Sequence, residues 1–221
     1  MKLLRSPRST VVPVGPYGGD LLQGWDVMDT DRRLWDAWAS LEVPEHFRTE
    51  IKDGVLMVSH VGGPRHRRIG TRLLDALAEH LDGSGWWPAD AGHVLHGHEV
   101  SAPDVLVVPE DIDAIAGPED LGVPASGVAL VVETVSPDSE HRHRDLVDKP
   151  RAYATAGIPV YVIIDDYDYG GGAVTVLSGP DPERGAYARS ERTPYGEDAV
   201  IPEGPAKGFA IGPGITGERR G

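Results

Sequence analysis

The sequence predicts an α/β or α+β domain with one central mixed sheet flanked by helices. Two observations lead to this prediction. Stretches with helical hydrophobic periodicity alternate along the chain with short, continuous apolar runs that are bounded by turn residues. Runs of this kind are typical of strands covered on both faces, so helices are expected to pack against the sheet. The length of 221 residues is sufficient for one domain with a sizeable core.

The first half of the chain predicts two helices and a hairpin. Residues 30–41 place apolar side chains at helical spacing after Thr30, a good N-cap, and Pro44 follows the helix. The segment Glu50–Ser59 predicts a β-hairpin turned at Asp53-Gly54. The longest predicted helix is Arg65–Leu81, since five of its apolar residues share one stripe.

The second half predicts a run of strands, one helix and an edge hairpin. The helix covers Asp145–Ala156, because Gly157 is suited to its C′ position and Pro159 follows. Most of the predicted strands are short apolar runs, and the last two are predicted to form a hairpin at the edge of the sheet. The predicted strands are Val94–His98, Asp104–Val108, Val128–Val132, Val160–Asp165, Val174–Leu177 and Ala186–Arg189.

Composition predicts which parts of the chain are ordered and in which compartment the protein is located. Residues 1–24 are expected to be a flexible tail, residues 25–203 the folded domain, and residues 204–221 a loose tail rich in Gly and Pro. No run approaches 18 apolar residues, so no membrane partner is expected. The absence of cysteine excludes disulfides and thiolate metal sites and, with no signal-like segment, predicts a cytoplasmic location.

Charge weighs against a strongly basic nucleic-acid-binding protein. The formal net charge is -14 and the pI is near 4.9. Such a field slows encounter with DNA or RNA. It does not exclude a local basic patch, and a carboxylate cluster that holds a divalent cation is itself acidic.

Two carboxylates fall at the ends of apolar runs. Asp104 begins the run DVLVV, and Glu133 directly follows VALVV. Carboxylates at the ends of neighbouring buried strands can converge on one point, where two of them suffice for Mg²⁺, which keeps several waters. A solvated turn carboxylate is the simpler interpretation of either residue alone.

Lys149 stands out among the cations. The chain has four lysines among its 21 basic residues, so arginine supplies most of the generic positive charge. Pro150 is acceptable only in the first turn of a helix or at a kink, which places Lys149 near a helix start, where a cation is unfavourable. A structural reason for lysine is therefore weak. Tyr153, one turn later, is predicted to pack in the core.

A histidine-rich segment offers an alternative chemistry. His93, His96 and His98 lie close together in sequence, and His96 and His98 project to one face of a strand. Zinc could use such a pair, but no third ligand is recognisable. Solvated polar positions explain these residues more simply. His66 opens the long helix and either lines a cleft or serves the helix start.

The order of several short motifs resembles the Uma-two family, described as putative restriction endonucleases of the PD-(D/E)XK nuclease superfamily. The motifs are APDVLVV around Asp104, E-x-x-S-P from Glu133, and K-x-x-x-Y-A-x-x-G-I-P-x-Y from Lys149, with the hairpin that begins at Glu50 and the helix after it. The resemblance covers about residues 34–177. It implies a restriction-endonuclease-like fold.

The resemblance also implies a site and a reaction. Asp104 matches the aspartate of the PD motif and Glu133 the acidic residue of the second motif, both metal ligands. Glu50 matches an acidic residue that joins the site, and the Thr134 carbonyl is a further candidate ligand. The usual lysine position is Val135, so Lys149 is the matching lysine. The implied reaction is hydrolysis of DNA phosphodiesters with Mg²⁺, for which Mn²⁺ can substitute.

Alternatives remain open at the level of sequence. Val135 and the acidic charge favour a catalytically inactive nuclease fold that acts as a binding or regulatory module. Cleavage of both DNA strands would need two sites, which favours a homodimer. Two groups of arginines are candidate DNA contacts, and solvated arginines are an equal alternative; they are Arg65, Arg67, Arg68 and Arg72, and Arg142, Arg144 and Arg151.

Overall fold

A computed structural model describes residues 10–11, 27–90, 92–116, 121–135 and 142–218. The chain divides into two compact units: Met1–Val61 with Leu95–Ala102, and Gly62–Val94 with Pro103–Gly221. The sequence predicts one domain over residues 25–203, and the two units share that range. The expected N-terminal tail lies outside the described residues, apart from Thr10–Val11.

The helices and strands follow in chain order. The helices are α1 (Val27–Ala39), α2 (Pro64–Leu81), α3 (Lys149–Thr155) and α4 (Pro213–Thr216). The strands are β1 (Thr10–Val11), β2 (Phe47–Lys52), β3 (Val55–His60), β4 (Trp86–Asp90), β5 (Val94–His96), β6 (Glu99–Ser101), β7 (Val105–Pro109), β8 (Val123–Pro124), β9 (Leu130–Thr134), β10 (Val160–Asp165), β11 (Ala173–Asp181), β12 (Ala186–Pro194), β13 (Ala199–Val200) and β14 (Ala210–Ile211).

The first unit is built on the predicted hairpin. β2 and β3 pair antiparallel, with β1 beside β3 and β6 beside β2. Asp53 and Gly54 have φ of 50° and 71°, the two positive values that a two-residue type I′ turn requires. α1 buries Trp38, whose Nε1 donates to Thr49 Oγ1 at 2.9 Å. The predicted hairpin and first helix are confirmed.

The second unit contains a six-stranded mixed sheet in the order β12-β11-β10-β9-β7-β4. β9 and β10 are parallel, and the remaining neighbours are antiparallel. Both faces are covered. One face packs against α2 and the C-terminal segment, and the other packs against α3. The mixed α+β class predicted from the alternation of patterns is confirmed.

α2 shows why hydrophobic periodicity located the elements well. Ile69, Leu73, Leu77 and Leu81 recur every fourth residue, and each is only 1% exposed. They lie in the core on one face of the sheet. Pro64 begins the helix at a position where its missing N–H costs nothing. Among the described residues, no helix is both long and apolar enough to cross a membrane.

The structure differs from what the sequence indicated at three places. The predicted strand Val94–His98 is interrupted at Gly97, where φ of 60° turns the chain between β5 and β6. The sequence did not indicate β4, because Pro88 and two tryptophans at its start obscure any alternation. From residue 204 the chain was expected to be loose. Instead Phe209, Ile211 and Ile215 are buried with the apolar residues of α2 in the core on one face of the sheet.

Candidate active site

Asp104 and Glu133 occupy opposed positions at the ends of β7 and β9. The antiparallel register pairs Val105 with Val132 and Leu106 with Val131. One step further, the same register sets Asp104 opposite Glu133. Side chains at directly opposed positions share one face of a sheet, with Cβ atoms about 4.5–5.5 Å apart. Both carboxylates are buried. The structure therefore brings together the two residues that the sequence selected.

Asp104 is held by the backbone of β9 and by α2. The N–H of Thr134 donates to Asp104 Oδ2 at 2.7 Å. His66 Nε2 lies 2.7 Å from the same oxygen. Gly62 makes room for the imidazole, because a Cβ on Gly62 would lie 2.1 Å from His66 Nδ1. His66 lies in the first turn of α2 and also contacts a candidate site residue, so both roles considered for it stay predictions.

Glu133 receives two donors from one helix. Lys149 Nζ lies 2.6 Å from Glu133 Oε1, and Tyr153 OH donates to the same oxygen at 2.9 Å. Lys149 Nζ is also 3.3 Å from Asp145 Oδ1. Asp145, Lys149 and Tyr153 follow one another at intervals of four residues, which sets them on one helical face. All three are buried, so the ion pairs lie away from water.

The local helix geometry explains why Lys149 can take this position. A π-helical turn over Arg144–Asp148 leads directly into α3, and the N–H of Lys149 bonds to the carbonyl of Arg144. This wider turn accommodates Pro150, which has no N–H and would clash with a carbonyl of an ordinary α-helix. The helix predicted over Asp145–Ala156 is present, and the kink considered for Lys149 takes the form of this turn.

A buried tyrosine lies behind the cluster. Tyr161 OH donates to the carbonyl of Asp145 at 3.0 Å. Burial raises the pKa of Tyr161 well above its usual value, and the nearby charges of Glu133 and Asp145 raise it further. Carboxylates surrounded in this way by apolar and hydroxyl groups interact strongly with any cation that reaches them.

Glu50 belongs to the first unit, and its side chain is buried there. It is buried in β2, and its Oε1 accepts a hydrogen bond from the N–H of Ala102 at 3.1 Å. Arg48, on the same strand, donates to the carbonyl of Ala102 at 3.0 Å. These contacts tie β2 to the backbone of Ala102. A role for Glu50 at a metal remains a prediction.

β10 ends in two buried carboxylates that the sequence analysis did not select. Asp165 accepts both terminal nitrogens of Arg142, at 2.6 and 2.7 Å. Asp166 is bound by Arg65, and it also accepts from Tyr195 OH at 2.9 Å. The D-x-x-x-K-x-x-x-Y spacing would have indicated Asp145, but no local signal indicates that Asp165 and Asp166 have partners far away in sequence.

The remaining candidates are mostly at the surface. Arg67, Arg68, Arg72 and Arg151 are exposed. His98 is an exposed side chain 3.9 Å from Asp31. In the described part of the chain, His, Cys, Asp and Glu side chains form no group of three or more that could hold a metal ion. The histidine segment therefore provides no support there for the zinc alternative; His141 and residues Ser136–Glu140 lie outside the described residues.

Comparison with known proteins identifies the family. The model of the Uma2 family, described as "putative restriction endonuclease", matches residues 35–212. This match covers most of the chain, so the chain belongs to that family, as the motifs indicated. No curated protein matches.

A solved structure supports the fold. It is described as a putative nuclease belonging to DUF820 from Anabaena variabilis ATCC 29413. The similarity has a TM-score of 0.60 at 16% identity and covers 82% of this chain and 96% of the other. At that identity the likeness establishes a shared fold, and the predicted restriction-endonuclease-like architecture is confirmed.

Proposed function

We propose that this member of the Uma2 family is a metal-dependent nuclease that hydrolyses phosphodiester bonds in DNA. The observation that supports the proposal most directly is the contact of 2.6 Å between Lys149 Nζ and Glu133 Oε1, opposite Asp104. Val135 occupies the usual lysine position, and an ammonium group nonetheless reaches the carboxylate from α3. A different element of the chain therefore supplies the cation that the proposed reaction needs beside its carboxylates.

The donor set suits a hard divalent cation. Asp104 and Glu133 offer carboxylate oxygens from opposed strand positions, and Mg²⁺ needs few protein ligands because it retains waters. The carbonyl of Thr134 is the further ligand in this proposal. When bound, Mg²⁺, or Mn²⁺ in its place, would lower the pKa of a water and stabilise charge on the phosphate.

The residues around the carboxylates have defined tasks in this proposal. Lys149 orients the attacking water and stabilises negative charge on the phosphate oxygens. Asp145 and Glu133 hold its ammonium in position, at 3.3 and 2.6 Å. Tyr153 and Thr134 hold the carboxylates themselves through hydrogen bonds to Glu133 and Asp104. This network reduces the reorganisation needed when substrate binds.

The assembly and location belong to the same proposal. A homodimer would supply two sites for cutting both strands of a duplex. The absence of cysteine fits a reducing compartment such as the cytoplasm.

Asp104→Asn tests the proposal. We expect it to abolish Mn²⁺ binding in calorimetry and to lower Mg²⁺-dependent cleavage of DNA by at least about 100-fold, because loss of an outer partner of a metal ligand already costs about 10–100-fold. Asp75→Asn, at an exposed position on α2, is the matched control and should behave as the wild type. Wild-type cleavage by Asp104→Asn would overturn the proposed site. A wild-type protein that neither binds Mn²⁺ nor cleaves would favour the inactive module.

A further inference from the structure

Two tyrosines project from the turn that follows β10. Tyr169 is fully exposed, at 105% of its reference area, and Tyr167 is 46% exposed. Single exposed aromatic side chains are ordinary on protein surfaces. These two are different because of how the turn is built, which cations lie near them, and where the turn lies.

The turn is firmly held. Asp168 accepts the N–H of Gly170 at 2.9 Å through its side chain, and its carbonyl accepts the N–H of Gly171 at 3.0 Å. Arg192 on β12 binds the Asp168 carboxylate. Gly172 has φ of 106°, and a Cβ there would lie 2.3 Å from the ring of Tyr195. The backbone that carries Tyr169 is therefore ordered before any partner arrives.

Two arginines lie near the tyrosines, since Arg65 interacts electrostatically with Tyr167 and Arg142 with Tyr169, and both are held by aspartates. Arg142 is held by Asp165 and is 26% exposed, while Arg65 is held by Asp166 and is 35% exposed. The hydrogen bonds that Arg142 donates to Asp165 raise the pKa of Arg142, with smaller electrostatic contributions that include Tyr169. Each guanidinium keeps part of its surface in solvent at a defined orientation.

The same surface adjoins the candidate active site. β10 lies parallel to β9, and its residue Ile163 is paired with Glu133. Asp165 is two residues further along that strand and on the same face. On the other side, Arg65 is the neighbour of His66, whose imidazole contacts Asp104. A strand lying over the tyrosines would therefore lead toward the two carboxylates.

We propose that Arg65, Arg142, Tyr167 and Tyr169, the Tyr–Arg surface, bind an unpaired nucleic-acid strand next to the active site. This inference rests on the proposed nuclease function and names the substrate form that the site receives. Exposed aromatic rings stack on bases of any sequence, and guanidinium groups contact phosphates. Bases in a duplex are already stacked on each other and offer no face to a tyrosine, so an unpaired region fits this surface better than a continuous duplex.

The charges near the surface sharpen the inference. Both arginines are already paired with aspartates, and the chain carries a net charge of -14. Phosphate attraction is consequently weak, and stacking must supply most of the affinity. Two phosphate contacts to a single strand would give a slope of log K against log salt no steeper than about -1.4.

Fluorescence anisotropy of the full chain in EDTA, with labelled single-stranded DNA, single-stranded RNA and duplex DNA of matched sequence, tests the inference. We expect tighter binding to a single strand than to the duplex. Tyr169→Ala should weaken single-strand binding about tenfold, and Tyr167→Ala should weaken it by a similar factor or less. Tyr169→Phe should bind a single strand as tightly as the wild type, because it keeps the ring that stacks on a base. Trp87→Ala is the matched control, since Trp87 is 55% exposed on the distant strand β4.

The outcomes separate this inference from the proposed reaction. Two results would overturn the Tyr–Arg surface even if Asp104→Asn abolishes cleavage. One is binding to the duplex that is as tight as binding to a single strand, or tighter. The other is wild-type affinity for a single strand in a double variant that combines Tyr167→Ala and Tyr169→Ala. Loss of binding in Trp87→Ala to the same extent would overturn it as well. Tyrosine-dependent single-strand binding without any metal-dependent cleavage would support the surface and contradict the nuclease. The DNA and RNA arms report which strand the surface prefers.

Discussion

The neighbouring strands β9 and β10 both end in buried carboxylates, but the two ends are neutralised by different chemistry. At the end of β9, one oxygen of Glu133 accepts hydrogen bonds from the ammonium group of Lys149 and the hydroxyl group of Tyr153. At the end of β10, Asp165 receives a guanidinium that engages both oxygens. The first arrangement uses a compact point charge, and the second uses a rigid fork.

This difference separates a site suited to chemistry from a site suited to positioning. A bidentate arginine saturates a carboxylate and fixes its own orientation, which is useful for presenting a cation at a surface. A lysine can turn its donors among several oxygens, such as those of Glu133 and Asp145. We therefore propose that the reaction takes place at the end of β9 and that strand binding takes place at the end of β10.

The largest expected effect comes from removing the cation at β9. Lys149→Met should lower the free energy of unfolding by about 3–5 kcal/mol, because it leaves buried carboxylates uncompensated. It should also abolish cleavage. Urea unfolding at neutral pH measures the first effect, and a cleavage assay measures the second.

A double variant distinguishes stability from chemistry in that result. Lys149→Met combined with Glu133→Gln should recover part of the lost stability, since one of the two carboxylate charges that the lysine compensated is gone, while cleavage stays absent. Wild-type stability for Lys149→Met alone would show that the pair at β9 is not the buried ion pair described here.

A smaller effect is expected from weakening the fork at β10. Arg142→Lys keeps the charge but cannot donate two parallel hydrogen bonds to Asp165. The free energy of unfolding should therefore fall by about 1–2 kcal/mol. Single-strand binding should weaken, and metal-dependent cleavage of a saturating substrate should change little. Arg151→Lys, exposed on α3, is the control and should match the wild type in urea. An equal loss of unfolding free energy in Arg142→Lys and Arg151→Lys would show that the two hydrogen bonds to Asp165 contribute no extra stability.

The smallest effect at neutral pH, and a growing one in alkali, concerns the tyrosines beside each end. Burial, the charge of Asp166 and the hydrogen bond to it raise the pKa of Tyr195. The pKa of Tyr161 is likewise raised above its usual value of 10.0. A raised folded-state pKa contributes stability that is complete below the unfolded value and is lost as pH rises above it.

Stability should therefore begin to fall above about pH 10, by about 1.4 kcal/mol per pH unit for each such tyrosine. Tyr195→Phe should make that dependence shallower, at the cost of its hydrogen bond to Asp166. Urea unfolding as a function of pH measures the slope. An unchanged slope in Tyr195→Phe would contradict the assignment to this residue.

Sequence reasoning succeeded where the cause is local. Period-four apolar spacing predicted α2, and the Asp53-Gly54 pair predicted the hairpin. The apolar run VYVIID predicted β10 with the bounds that the structure has, Val160–Asp165. It was less successful for β4 and for the C-terminal segment, where Gly and Pro suggest looseness but a few apolar side chains find a place in the core.

The sequence by itself determined the family, the mixed α/β pattern and the carboxylates at the ends of two apolar runs, because burial and turn chemistry leave a local periodic record. Only the tertiary structure decided which partners meet. Asp104 bonds to a residue 30 positions away, and Asp166 to one 101 positions away. Those pairings depend on the order and register of the strands, which arise from packing the whole sheet and have no counterpart in the neighbouring sequence.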